Sequence, residues 1–313
     1  MRLIPSDIRF PFTRYARIAA VFSVTLIVLS IASLAYGNLS FGIDFTGGVV
    51  VDVHYPQPVK LAPIRTAIAG GGYKHASVTH FGSAQDVSIR LPPQPKKDKT
   101  KLGKMVLKTL SSGPKGASVQ RVQVVGPKVG QNLLNKGGLA FLYTVIAILI
   151  YVIFRFHWKL ALGAVAALIH DIIITMGVFS VTSMQFNLTV LAAVLAVLGY
   201  SLNDTIVIFD RIRENFRRMR KATPVEVVDV SINQTLARTV ITAGTTLLTL
   251  FALFFLGGQI IHGFAAALLT GIGIGTYSSV FVASSLALRL RLTSTDLFPP
   301  KEEDAERDAR RTE

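Results

Sequence analysis

Four residues in the apolar stretches of this chain carry groups that can bind or move a proton. Asp171 follows His170 about eleven residues into the run Leu160–Val181. That places it ~16 Å along a helix, near the middle of a ~30 Å hydrocarbon core. Asp204 lies in the run Leu188–Phe209, five residues before its end, and Arg238 stands at the head of the next run, Thr239–Leu256. Asp204 and Arg238 thus have matching depths on neighbouring helices and can pair. Ionisable groups inside a bilayer are costly and face the interior of a helix bundle. A buried carboxylate resists ionisation and a neighbouring guanidinium favours it. Moving the arginine away, or admitting water, would switch such a carboxylate between its two states. One reading is therefore a proton relay through Asp204, Arg238, Asp171 and His170. The other is a structural ion pair that fixes helix packing, with His170 only hydrogen-bonding across helices.

Other chemistry is excluded more directly. The chain has no cysteine, so disulfides, thiol catalysis and cysteine metal sites are out. Its six histidines are scattered without ligand spacing, so no metal is expected. No G-x-S-x-G, H-E-x-x-H or P-loop occurs. The chain is expected to be no enzyme and to need no cofactor. Gly199, Gly271 and Gly275 are expected at close helix contacts, the last two forming a G-x-x-x-G. Thr276, Ser278 and Ser279 follow and would otherwise hydrate a polar seam.

The elements that must position these groups are membrane spans. Of 313 residues, 50% are hydrophobic and 16% charged, against ~25% charged in soluble domains. Runs of about 20 apolar residues are long enough to cross a bilayer. Six occur, at Ile18–Tyr36, Leu133–Phe154, Leu160–Val181, Leu188–Phe209, Thr239–Leu256 and Phe264–Leu288. The first is too long for a cleaved signal peptide and reads as an anchor. Lys and Arg crowd the N-terminal segment, the turn at Arg155–Lys159, the stretch Arg211–Lys221 and the start of the tail, while Thr182–Asn187 and Gly257–Gly263 have none. By the positive-inside rule both termini are cytoplasmic, in a multi-pass protein of the inner membrane. Topology then accounts for much of the net charge of +15, and no nucleic-acid partner is expected.

The predicted partition follows: a cytoplasmic segment 1–17, a first span 18–36, an outer domain 37–132, spans two to six over 133–290 with a cytoplasmic loop 210–237, and a disordered tail 291–313. The outer stretch carries 13 basic and 4 acidic residues, which loops longer than ~60 residues tolerate. Strands are expected at Val49–His54, Ser77–His80, Asp86–Leu91 and Ser118–Val125, and helices at Ala62–Ala69 and Lys99–Leu110. That order suits a small ferredoxin-like α+β domain. The basic stretch 92–101 reads as a solvated loop, with an acidic partner or membrane lipids as the alternative. Asp44 is expected to serve the turn around Gly47–Gly48, where glycine permits positive φ.

Several blocks together resemble one family. They are Phe41–Gly48, Gly199–Asn215, Ser231–Thr239, His170–Asp171 and Gly275–Ser279. The order of six spans with one outer loop agrees, and the likeness runs from about Arg14 to Leu290. The chain is similar to the SecF family, subunits of the SecDF accessory complex of bacterial protein export. The resemblance implies a polytopic α-helical fold like half of an RND-type transporter. It implies a SecD partner, the SecYEG translocon and preprotein substrates, with the proton motive force promoting late-stage translocation. It assigns Asp204 to the essential relay carboxylate and Arg238 to its companion; His170–Asp171 matches the same pattern. The outer domain's basicity and the 92–101 stretch follow no pattern of that family. A proton-driven RND-type exporter of a small molecule or lipid, or a passive scaffold, would share the architecture.

Overall fold

The computed structural model describes residues 10–298, apart from 38, 74–75, 82, 94–98, 111–113 and 115. The middle of the basic stretch 92–101, the start of the N-terminal segment and most of the tail lie outside the described residues. In chain order, a 3₁₀ turn Phe12–Tyr15 leads into α1 (Ala16–Gly37). The extramembrane elements are α2 (Ile43–Thr46), β1 (Gly48–His54), α3 (Leu61–Gly70), β2 (Ser77–Phe81), β3 (Ser83–Leu91), α4 (Lys99–Leu110) and β4 (Ser118–Val125). There follow α5 (Pro127–Arg155), α6 (Trp158–Val181), α7 (Leu188–Arg218), α8 (Pro224–Leu256) and α9 (Gln259–Ser278). A π turn, Ser279–Ala283, carries α9 into α10 (Ser284–Arg289), and α11 (Ser294–Leu297) closes the described chain. Among the described residues six helices are long and apolar enough to cross a membrane. The chain is a polytopic membrane protein.

Local sequence sets the helix ends. Pro127 opens α5 behind Gly126, where its missing N–H costs nothing. The Asn187 side chain accepts from Val190 N at 2.9 Å and starts α7. Thr223 and Glu226 form a reciprocal capping box on α8. The apolar runs understate α7 and α8. Residues 210–237 are mostly helix, with a short turn at 219–223 between the two arms. These arms stay helical because they are amphipathic: Ile212 and Phe216 pack with Val227, Val228 and Ile232 in one core. Asn215 joins them by donating from Nδ2 to Ser231 Oγ and Gln234 Oε1, both at 2.9 Å.

Burial separates the helices into two sets. About half of the apolar stretch of α6, α7 and α9 is buried within the chain, against 11–17% for α1, α5 and α8. The first set is therefore the inner layer, and the second presents its apolar surface outward.

The extramembrane domain is ferredoxin-like: its sheet has the order β2-β3-β1-β4, with every neighbouring pair antiparallel. Alternation along β1 explains the layering. Val49, Val51 and Val53 are buried with Ile64, Ile68, Val106 and Leu110 from the two helices. Val50 and Asp52 point the other way, in register with Arg90 and Ser88 on β3 and with Gln123 and Arg121 on β4. This polar face looks onto the ends of the spanning helices.

The segment Phe41–Gly48 is the joint between domain and bundle. Gly42 N donates to Phe186 O and Phe186 N donates to Ser40 O, both at 2.8 Å. Gly47 adopts φ +68°, and a Cβ there would stand 2.9 Å from Pro127 Cα. Glycine is required both for the backbone and for that approach of α5.

Candidate functional site: a buried polar track across three helices

Asp171 is fully buried on α6, and its side chain ties three helices together. Its Oδ1 meets His170 Nδ1 at 2.9 Å. Its Oδ2 accepts from Ser201 Oγ on α7 at 2.6 Å and from Ser278 Oγ on α9 at 2.9 Å. Buried polar groups must be satisfied, and three converging partners do so here. His170 Nε2 is buried without a partner. Its ring lies 6.1 Å from that of Tyr277, whose hydroxyl donates to Ala19 O at 2.8 Å. The node thus extends toward α1.

Small residues permit this closeness. A Cβ on Gly275 would lie 2.9 Å from Ser201 Cβ and 3.4 Å from Asp171 Oδ2, and one on Gly271 would overlap Val197. The G-x-x-x-G face of α9 therefore lies directly on α7. Gly199 differs: a Cβ there would meet nothing within 4 Å, so the contact expected of it has no neighbour within the chain. Gly163, which the sequence did not single out, approaches the π turn, with a hypothetical Cβ 2.5 Å from Ala283 O.

Asp204 lies three residues beyond Ser201, on the same face of α7. It is 3% exposed, and its Oδ2 is buried with no hydrogen-bond partner. Arg238 on α8 is exposed and acts on Asp204 as a charge rather than as a hydrogen-bond donor. The pairing that their depths allow is thus a through-space relationship, with no hydrogen bond between the two side chains. The structure brings Asp204, Ser201, Asp171 and His170 onto one buried track, with Arg238 at its outer flank. Sequence reading missed Ser201, for which the available signal was its i,i+3 spacing to Asp204; it placed Ser278 only in a polar seam after Gly275, without its bond to Asp171.

Asp44 sits at the joint rather than in the bundle. Its Oδ1 accepts from Gln123 Nε2 and its Oδ2 from Leu188 N, each at 3.1 Å. The carboxylate therefore links β4 to the first turn of α7, a longer reach than the turn at Gly47–Gly48 that its neighbours suggest. Among the described residues no cluster of three His, Asp or Glu has metal-binding geometry.

A ferredoxin-like domain on a six-helix bundle with a buried carboxylate track defines a class of membrane protein, and comparison with known proteins narrows it. Residues 106–293 match the family described as Protein export membrane protein SecD/SecF, C-terminal, and residues 39–59 match the SecD/SecF GG motif. The chain is 50% identical over 304 residues to the protein translocase subunit SecF of Vibrio alginolyticus, covering 96% of each chain. It is 49% identical over 287 residues to that of Pseudomonas aeruginosa, covering 90% of this chain and 92% of the relative. Solved SecDF from Thermus thermophilus superposes with a TM-score of 0.84 at 35% identity, over 92% of this chain and 40% of that one. SecDF in a super-membrane-facing form gives 0.68 over 93% of this chain and 40% of that one. The chain belongs to the SecF family of protein translocase subunits.

Proposed function

We propose that this chain is an accessory subunit of the protein-export machinery which, with a SecD partner, uses the proton motive force to promote late stages of preprotein translocation. In this reading it performs no covalent chemistry and acts in the inner membrane beside SecYEG. The observation that carries the reading is Asp204: a carboxylate oxygen buried without a partner inside a spanning helix, beside the charge of Arg238. An unmatched acid at such depth is a functional residue by default. Asp204 takes up and releases the proton. Arg238 sets the balance between its two states, and Ser201, Asp171 and His170 form the inner end of the track.

Two further observations support the assembly. Arg238 and Asn203 are exposed on spanning helices of the isolated chain, a costly arrangement in lipid. A second bundle packed there would cover them, and the chain spans only about 40% of solved SecDF. The crowding of Lys and Arg at Arg155–Lys159 and Arg211–Lys221 supports a cytoplasmic location for that side and for both termini. The ferredoxin-like domain, taken over residues 37–132, then lies in the periplasm and meets the emerging polypeptide. A field of 100 mV supplies ~2.3 kcal/mol per charge moved across it. That shifts a two-state bundle by roughly fiftyfold. The test is gradient-dependent translocation into inverted vesicles containing the chain or its Asp204→Asn variant; equal responses would refute the relay.

A further inference from the structure

The polar face of the sheet does not rest flush on the bundle. Between them lies a cavity of about 450 Å³, within the ~300–1,000 Å³ range of small-molecule sites. Its floor is the turn 182–187, with residues 260–263 beside it. These are the ends of spanning helices, the level at which lipid headgroups lie.

One side chain in this cavity is incompletely matched. Arg90 Nη1 donates to Phe41 O at 2.7 Å. Its Nε and Nη2 are buried and have no partner. These two nitrogens share one edge of the guanidinium, the edge that grips an oxyanion through two parallel hydrogen bonds. Leaving both donors unmatched is expensive, so a missing acceptor is the physical expectation.

The charges around it favour an anion from outside the chain. Arg90, Arg121, His80, His262, Asp44 and Asp52 line the cavity. Asp44 is occupied by Gln123 and Leu188. Asp52 accepts from Ser88 at 2.8 Å, and burial pushes its carboxyl up, toward the neutral form. Arg121 is the charge beside Asp52 and also donates to Gln123 Oε1 at 2.7 Å. Among the described residues no acid meets the free edge of Arg90. Ser77 lies in register with it on β2 and lines the same cavity, adding a hydroxyl at the rim.

We infer that this cavity binds a phosphate oxyanion on the Nε/Nη2 edge of Arg90. Its place at the helix ends points to the phosphodiester of a phospholipid headgroup, with free phosphate as the other source of the same group. A headgroup held there would bridge domain and membrane surface at the joint that Asp44 already crosses.

The test is calorimetric titration of the delipidated full chain in detergent with three probes: dioctanoyl phosphatidylglycerol, inorganic phosphate and dioctanoylglycerol, which lacks phosphate. Saturable binding of the phospholipid, weakened at least tenfold by Arg90→Gln, supports a headgroup site. Equal or tighter binding of inorganic phosphate with the same dependence supports the site with free phosphate as its ligand. Ser77→Phe fills the rim while keeping Arg90, and is expected to lower affinity as much. It guards against reading a folding defect of Arg90→Gln as lost binding. If neither phosphate probe binds, if dioctanoylglycerol binds as well, or if both variants retain wild-type affinity, the inference is overturned.

Discussion

Asp44 Oδ2 accepts a hydrogen bond from the backbone N–H of Leu188 at 3.1 Å, so a side chain of the extramembrane joint caps the helix that carries Asp204. The first N–H groups of a helix lack internal partners, and the N-terminal dipole favours a negative charge there. Asp204 lies about 24 Å further along the same helix. A rigid element thus connects the joint to the buried carboxylate. Removing the cap with Asp44→Ala is expected to cost about 0.5–2 kcal/mol of stability. Asp44→Asn, which keeps one carbonyl acceptor, should lose less. Thermal unfolding of the purified chain orders the three. Equal stability of wild type and Asp44→Ala would show that the contact contributes nothing.

The G-x-x-x-G face makes a second prediction. A methyl on Gly271 would overlap Val197, and a β-branched side chain has little freedom to move aside. Gly271→Ala should therefore destabilise by about 1–3 kcal/mol, the usual range for overpacking. Adding Val197→Ala should recover part of that loss. Additive losses in the double variant would mean that the two residues do not oppose each other.

The Asp171 node should behave as a unit. Ser201→Ala and Ser278→Ala each remove one donor from the fully buried Asp171 side chain, and leaving a buried acceptor short of a partner costs about 1–3 kcal/mol. Because both donors share Oδ2, the double variant should deviate from the sum of the singles. Unfolding midpoints of the four proteins measure this. Strict additivity would place the serines in independent sites.

A pH-dependent contact lies outside the spans. Lys159 Nζ meets Asp296 Oδ2 at 2.6 Å, docking α11 against the start of α6. The Lys159 hydrogen bond, with help from Thr293, holds the Asp296 carboxyl down at about 2. A native value below the unfolded one means the stabilisation is complete above pH ~4 and fades as pH falls toward 2. Trp158, the only tryptophan, adjoins this pair, with Lys159 Nζ 5.7 Å from its ring. Its fluorescence should change between pH 4 and 2. Asp296→Asn should remove that transition; its persistence would assign it to another group.

The legible and illegible parts of this molecule divide along the range of the interactions. Long apolar runs and the period-2 pattern of Val49–Val53 are local, and they announced the six helices and the ferredoxin-like domain. The extensions of α7 and α8 were hidden because Arg211–Lys221 reads as a charged loop, while its apolar partners, Ile212 and Phe216, appear singly. Asp44 was assigned to its own turn because its real partners, Leu188 and Gln123, are 144 and 79 residues away. Ser201 and Ser278 look like ordinary small residues until Asp171 is placed between them. Arg90 occupies an alternating strand position that a sequence reading gives to solvent. The cavity exists only because the bundle lies beneath that face.

In the function we propose, Asp204 carries the proton that powers the chain. The most direct test compares preprotein translocation into inverted membrane vesicles, with and without an imposed proton gradient, for wild type and Asp204→Asn assembled to equal levels. If Asp204 is the relay, the gradient stimulates translocation only in wild type, with gradient-independent transport unchanged between the two. Equal stimulation in both would contradict it and leave Asp204 as a packing residue.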